Sequence, residues 1–116
     1  MNHHRQLEAI AAEDPLLTIL PTIQLAGTHR DAGHAQRRIQ QRGISRTKLR
    51  IALAYGRHDH HHGQQRWTLL GRSLLRSPYA RFCRELEGLQ LIGAFDAQDG
   101  ALQLKTCKWV WAMRRH

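Results

Sequence analysis

The residue types best suited to chemistry lie between positions 34 and 50, where one histidine is followed by six basic side chains. The histidine is His34, and the basic residues are Arg37, Arg38, Arg42, Arg46, Lys48 and Arg50. An arginine guanidinium can donate two parallel hydrogen bonds to a phosphate, so such a cluster can bind a nucleic-acid backbone without reading the bases. The alternative is a solvated helical surface on which some arginines stack against tryptophan.

His34 lies in the first turn of a helix that is predicted to begin near Asp31. A helix N-terminus attracts anions and favours the neutral imidazole that a general base needs. The alternative is a histidine that hydrogen-bonds to a sheet or lies partly exposed. If the chain is an enzyme, its histidine, arginine, lysine, threonine and tyrosine side chains suit metal-independent cleavage of RNA. In that reaction a base takes the 2′-hydroxyl proton and cations stabilise the phosphorane.

A run of histidines follows at positions 58, 60, 61 and 62, with Asp59 as the one carboxylate among them. Zinc requires three or four ligands arranged as a tetrahedron, and consecutive histidines in a loop rarely converge in that way. We therefore interpret His58, His60, His61 and His62 as part of a polar loop or hairpin tip that gains positive charge in acidic solution. We expect no dedicated metal site and no cofactor.

The net charge of +9 arises entirely from residues 30–76, which contain eleven Lys/Arg and two acids. The rest of the chain has seven residues of each sign. This distribution favours an anionic partner, which would be RNA, DNA or an acidic protein. No apolar run approaches the roughly 20 residues that span a bilayer. The first residues also lack the order of a signal peptide, so we expect a cytoplasmic protein that does not enter membranes.

Glycine and capping residues predict three helices. The first runs from Asp31 to Gln41 and is stopped by Gly43, and the second follows the cap Ser45 and ends at Gly56. Leu49, Ala52 and Leu53 form the buried stripe of the second helix. The third helix begins at Ser77-Pro78 and ends at Gly88.

Strand-like composition is found in residues 65–70, and two alternating stretches, 89–97 and 101–111, flank an Asp99-Gly100 turn. Simple alternation puts Leu102, Leu104 and Thr106 on one face of the last strand. The predicted fold class is α+β, with two N-terminal helices packed on a small antiparallel sheet of three to four strands and a third helix inserted between strands. Residues 1–30 are expected to be a loosely structured extension, and residues 31–116 a single α+β domain.

The helical motif His34-Ala-x-x-Arg-x-x-x-Arg-Gly-Ile-Ser, followed by Tyr55-Gly56, resembles a bacterial family catalogued as domain of unknown function 4258. The resemblance extends over roughly residues 31–108, and Asp99, Gly100 and Thr106 match its closing hairpin. That family is similar in fold to the barnase–EndoU–colicin–RelE group of small ribonucleases, many of which are toxins. The resemblance implies a module that cleaves or binds RNA, with His34 and Arg38 facing the sheet and Thr106 across from them.

Three hypotheses follow. In a metal-independent, toxin-related ribonuclease, His34 is the general base or acid, Arg38 and Arg42 hold phosphate, and Thr106 orients the substrate. In a non-catalytic nucleic-acid-binding module, with RNA favoured, the contacts come from Arg37, Arg42, Arg46, Lys48 and Arg50. In the third, the chain is an interaction domain whose partner or inhibitor is an acidic protein.

Overall fold

The computed structural model describes residues 2–25 and 43–110, which form an α+β fold with one five-stranded sheet. The helices are α1 (His3–Glu13), α2 (Pro15–Thr18), α3 (Arg46–Tyr55), α4 (Gly71–Leu75) and α5 (Cys83–Leu86), with a 3-10 turn (Ala80–Phe82) before α5. The strands are β1 (Ile23–Leu25), β2 (Arg57–His61), β3 (Gln64–Thr68), β4 (Leu89–Phe95) and β5 (Leu102–Trp109). The predicted α+β class is confirmed. None of these helices has the length and apolar character that a bilayer crossing requires.

The strands follow the order β1-β5-β4-β3-β2, with β1 parallel to β5 and all other neighbours antiparallel. The prediction of three to four antiparallel strands is therefore wrong in number and in arrangement. The additional strands come from the N-terminal segment and from the histidine run, which are held in the sheet by backbone pairing rather than by an alternating apolar pattern. Within the range predicted for the third helix, from Ser77-Pro78 to Gly88, the structure has only the 3-10 turn and α5, and the additional helix α4 precedes that range.

Helix α3 forms as its local sequence predicts. The Ser45 hydroxyl accepts a hydrogen bond from the Lys48 N–H at 3.2 Å and caps the first turn. Leu49, Ala52 and Leu53 are buried, which confirms the predicted stripe. The predicted helix before it, Asp31–Gln41, lies outside the described residues.

The histidine run is the first strand of a hairpin rather than a loop. His62 and Gly63 both have positive φ values, 52° and 77°, and together form a two-residue turn between β2 and β3. Two consecutive left-handed residues match the twist of the flanking strands, so this turn closes a tight antiparallel pair. The strand before it therefore continues through His61, and His58 and His60 lie on the same face of the sheet.

Residues 3–25 are part of the folded core, so the expectation of a loosely structured N-terminal extension is wrong for them. Leu7, Ala11, Leu17 and Ile23 are all buried in the main hydrophobic cluster, where α1, α2 and β1 contribute to the same core as α3. These apolar residues are distributed over two helices and a three-residue strand. No single helical or strand period in the sequence therefore reveals that they contribute to one core.

The carboxylate of Asp14 joins the N-terminal segment to two distant tyrosines. It accepts hydrogen bonds from the Tyr55 and Tyr79 hydroxyls at 2.8 Å each, and from the Leu16 N–H at 3.0 Å. Burial alone would raise the pKa of Asp14, but the three hydrogen bonds outweigh it and lower the pKa. Burial and the bond to Asp14 raise the pKa of Tyr55 to about 12, and they also raise the pKa of Tyr79.

We expect neither of the two tyrosines of the folded chain to ionise near its usual pKa of about 10. A group whose pKa is raised by folding stabilises the fold below its unfolded pKa, and this contribution is lost as the pH rises. The free energy of unfolding should therefore fall between pH 10.0 and about 12. Ultraviolet absorbance of tyrosinate measures the ionisation, and the urea-unfolded chain serves as the control. Titration of both tyrosines near the usual value, in a chain still folded by circular dichroism, would contradict these contacts.

A β-bulge in β5 reverses the alternation that the sequence predicts for that strand. Ile92 pairs with Thr106 but Gly93 pairs with Leu104, which leaves Lys105 as an extra residue. One extra residue shifts the following side chains to the other face of the sheet. The prediction that Thr106 shares a face with the leucines of this strand is therefore wrong, because simple alternation takes no account of an extra residue in the strand.

Candidate nucleic-acid interface

The two faces of the sheet differ in composition. The core face supplies Ile23, Trp67, Leu91, Leu104 and Cys107 to the main hydrophobic cluster, against which α3 packs. The opposite face, which we call the polar face, carries Gln24, Arg57, Asp59, Arg66, Thr68, Gln90, Ile92, Ala94, Gln103, Thr106 and Lys108. Its largest apolar side chain, Ile92, is buried but does not belong to the core cluster of the described residues.

The strand register aligns the polar face in two rows across β5, β4, β3 and β2. The first row is formed by Lys108, Gln90, Thr68 and Arg57, and the second by Thr106, Ile92, Arg66 and Asp59. Three strand spacings separate the ends of each row, which is about 14 Å. The first row therefore places a cation at each end, with hydrogen-bonding side chains between them.

Side-chain hydrogen bonds organise the neutral part of the polar face. The Gln90 amide donates to the Thr68 hydroxyl at 3.0 Å, and both residues are buried. The Gln103 amide donates to the Gln24 carbonyl oxygen at 2.6 Å, which links β5 to β1. The buried polar groups in the middle of the face are thus paired, which lowers the cost of placing them there.

Charge on the polar face is predominantly positive. Arg66 donates two hydrogen bonds of 2.8 Å to the carboxylate of Asp59, and Arg57 lies 3.8 Å from the same carboxylate. The hydrogen bond to Asp59 raises the pKa of Arg66, so this arginine stays charged. The side chain of Arg57 is 50% exposed, and Lys105 and Lys108 on β5 are also exposed. Among the residues of this face, Asp59 is therefore the one acid beside three cations, Arg57, Arg66 and Lys108, and the exposed Lys105 lies in the adjacent bulge.

The basic residues predicted on α3 contact the N-terminal segment and the start of the helix. The Arg46 and Arg50 guanidinium groups donate to the carbonyl oxygens of Ile23 and Leu17, at 3.1 and 2.6 Å. The Lys48 ammonium donates to the Gly43 carbonyl at 3.1 Å and lies 6.0 Å from the Trp109 ring. These three side chains therefore support the packing of α3 as well as contributing charge.

Thr106 and the basic residues of α3 are not brought together, because α3 packs on the core face and Thr106 lies half-buried on the polar face. The remaining predicted site residues, His34, Arg37, Arg38 and Arg42, lie outside the described residues. The structure instead places Thr106 in the same row as Arg66, next to Lys105 along β5 and two residues before Lys108, and the sequence analysis selected none of these cations.

Trp67 on β3 is too deeply buried to stack on bases, since it is only 4% exposed. One face of its ring is covered by His58, at a centroid distance of 4.8 Å and an angle of 8°. It therefore acts as a core residue. Within residues 2–25 and 43–110, no group of three or more His, Cys, Asp or Glu is placed to hold a metal ion.

No protein-family model, no curated protein and no solved structure matches this chain. The residues of the polar face are therefore the basis on which a function is assigned.

Proposed function

We propose that this protein is a small RNA-binding domain whose polar face contacts the sugar-phosphate backbone. The observation that carries the proposal is the row in which Lys108 and Arg57, both exposed, lie at either end of Gln90 and Thr68. The exposed cations at the two ends of this row can neutralise phosphates of a bound strand, and the buried Gln90 and Thr68 between them bond to each other.

Three further features support a nucleic-acid partner, and two of them favour RNA. The net charge of +9 favours association with any nucleic acid by long-range attraction. The side chains of Gln24, Gln103 and Thr106, which are exposed or half-buried, can bond to 2′-hydroxyl groups, which distinguish RNA from DNA. The resemblance of residues 31–108 to a ribonuclease-like family points in the same direction.

We expect the double variant Lys105→Gln/Lys108→Gln to bind single-stranded RNA more weakly, because it removes one exposed cation from the polar face and one from the bulge beside it without disturbing the core. If both lysines contact phosphate, the slope of log affinity against log salt should decrease by about 1.4. Fluorescence anisotropy of a labelled oligoribonucleotide, measured at several salt concentrations, gives the slope.

The matched control is Arg5→Gln/Arg72→Gln, which removes the same charge from exposed positions on α1 and α4. It should change the slope by less than about 0.5. Equal losses in both double variants would show that only net charge matters and would overturn the polar face as the interface. Absence of RNA binding at low salt would overturn the whole proposal and favour an acidic protein partner.

Metal-independent cleavage is a finer form of the same proposal, in which His34 acts as general base or acid, Arg38 holds phosphate and Thr106 orients the substrate. The half-buried position of Thr106 beside cations is compatible with that role. Labelled RNA incubated with the protein in EDTA tests it. Cleavage that persists in EDTA and is lost in His34→Ala and Thr106→Val would support catalysis. Binding of RNA without cleavage would overturn the catalytic role and leave the RNA-binding role in place.

A further inference from the structure

Strand β2 places two histidines side by side at the edge of the described sheet. His58 and His60 are both exposed, and their ring centroids lie 5.7 Å apart with an angle of 32° between the planes. The expectation that these histidines do not converge assumed a loop. In a strand every second residue lies on the same face, so convergence of two imidazoles follows from the backbone itself.

Two contacts hold the His58 ring in a defined orientation. It stacks on Trp67 at 4.8 Å, and its Nε2 atom contacts the carbonyl oxygen of the Gln65 side chain. With that oxygen as the acceptor, Nε2 carries the proton and Nδ1 keeps a free lone pair. Histidines that bind metal ions commonly donate their second ring N–H to such an oxygen, which fixes the tautomer and the ring. His58 is therefore preorganised as a metal ligand.

We propose that His58 and His60 form a binding site for a divalent transition-metal ion, with Gln65 as the outer partner that orients His58. Bonds from imidazole nitrogen to such ions are about 2.0–2.1 Å long, so rings 5.7 Å apart can each direct one nitrogen at a shared ion. Imidazole ligands favour copper, nickel and zinc over magnesium and calcium, and Cu²⁺ binds most tightly among them. Water completes the coordination.

Titration of the full chain with Cu²⁺ alone, followed by calorimetry and tryptophan fluorescence, tests the site. Binding should quench tryptophan emission because the ion would lie next to the imidazole that stacks on Trp67. His60→Ala, which removes one of two ligands, should weaken Cu²⁺ binding by at least about tenfold. Gln65→Ala should weaken it by about 10–100-fold, whereas Gln65→Glu keeps an acceptor oxygen and should retain the affinity.

The matched control is His62→Asn, which removes a histidine from the same hairpin at a position with a φ of 52° that asparagine tolerates. Its affinity should stay within about twofold of the parent chain. Mg²⁺ should neither bind nor compete. The proposal is overturned if Gln65→Ala and His60→Ala bind Cu²⁺ like the parent chain, or if His62→Asn loses as much affinity as they do. None of these outcomes depends on whether the protein binds RNA.

Discussion

Replacing Asp14 with alanine is expected to lower the free energy of unfolding by about 4 kcal/mol. The change leaves two tyrosine hydroxyls without their acceptor, and the Tyr79 side chain is fully buried. It also removes the cap of α2, which is the bond from the Leu16 N–H. Urea unfolding followed by circular dichroism measures the loss, and the neighbouring exposed carboxylate in Glu13→Ala should cost less than about 0.5 kcal/mol.

The Asp14 contribution should also depend on pH. Because folding lowers the pKa of Asp14, its stabilising contribution is present above the unfolded value of 3.8 and is lost as the pH falls below that value. The difference between the parent chain and Asp14→Ala should therefore shrink in acid. A difference that is small at neutral pH, or that stays constant down to low pH, would contradict the assigned hydrogen bonds.

Replacing Gly93 with alanine is expected to destabilise the protein by about 3 kcal/mol. A Cβ atom at this position would lie 2.3 Å from the carbonyl oxygen of Gln103 and 3.2 Å from the Cα of Leu104. These are backbone atoms of the paired strand, so relief requires a shift of the β4–β5 ladder at the bulge. The bulge therefore requires a residue without a side chain opposite it.

The control for Gly93 is Ala94→Gly, which changes one methyl group at the next position of the same strand and should cost about 1 kcal/mol. Urea unfolding gives both values. If Gly93→Ala were as stable as the parent chain, the close approach of β5 at this point would be wrong, and with it the assignment of Thr106 to the polar face.

The elements that could be predicted from sequence are those specified by nearby residues. Helix α3 has its cap, its buried stripe and its closing glycine within a dozen residues. The β4–β5 hairpin follows from Asp99-Gly100, and Gly100 has the positive φ of 73° that such a turn requires. Both predictions needed only residues that lie close together in the sequence.

The elements that could not be predicted depend on distant partners. Strand β1 has three residues and pairs with β5 almost eighty residues later in the chain. The N-terminal segment is held by Asp14, whose acceptor role becomes visible only when Tyr55 and Tyr79 are placed beside it. The bulge at Lys105 is equally hidden, since an extra residue in a strand leaves no periodic signal.

The candidate site shows the same division. Thr106 was selected through a family resemblance, whereas the row of Lys108 and Arg57 exists only in the folded sheet. The sequence identifies Arg46 and Arg50 as members of a basic cluster on α3. It does not reveal that both donate hydrogen bonds to carbonyl oxygens of the N-terminal segment. Charge was therefore predictable, and its placement was not.

The central claim is that RNA contacts the polar face of the sheet, and the side-chain amides of glutamine test it most directly. Gln24 and Gln103 lie on this face, while Gln6 lies on α1. In a two-dimensional NMR titration of nitrogen-15-labelled protein with single-stranded RNA, the amide signals of Gln24 and Gln103 should shift while that of Gln6 stays unchanged. Shifts of Gln6 with Gln24 and Gln103 unmoved would contradict the claim.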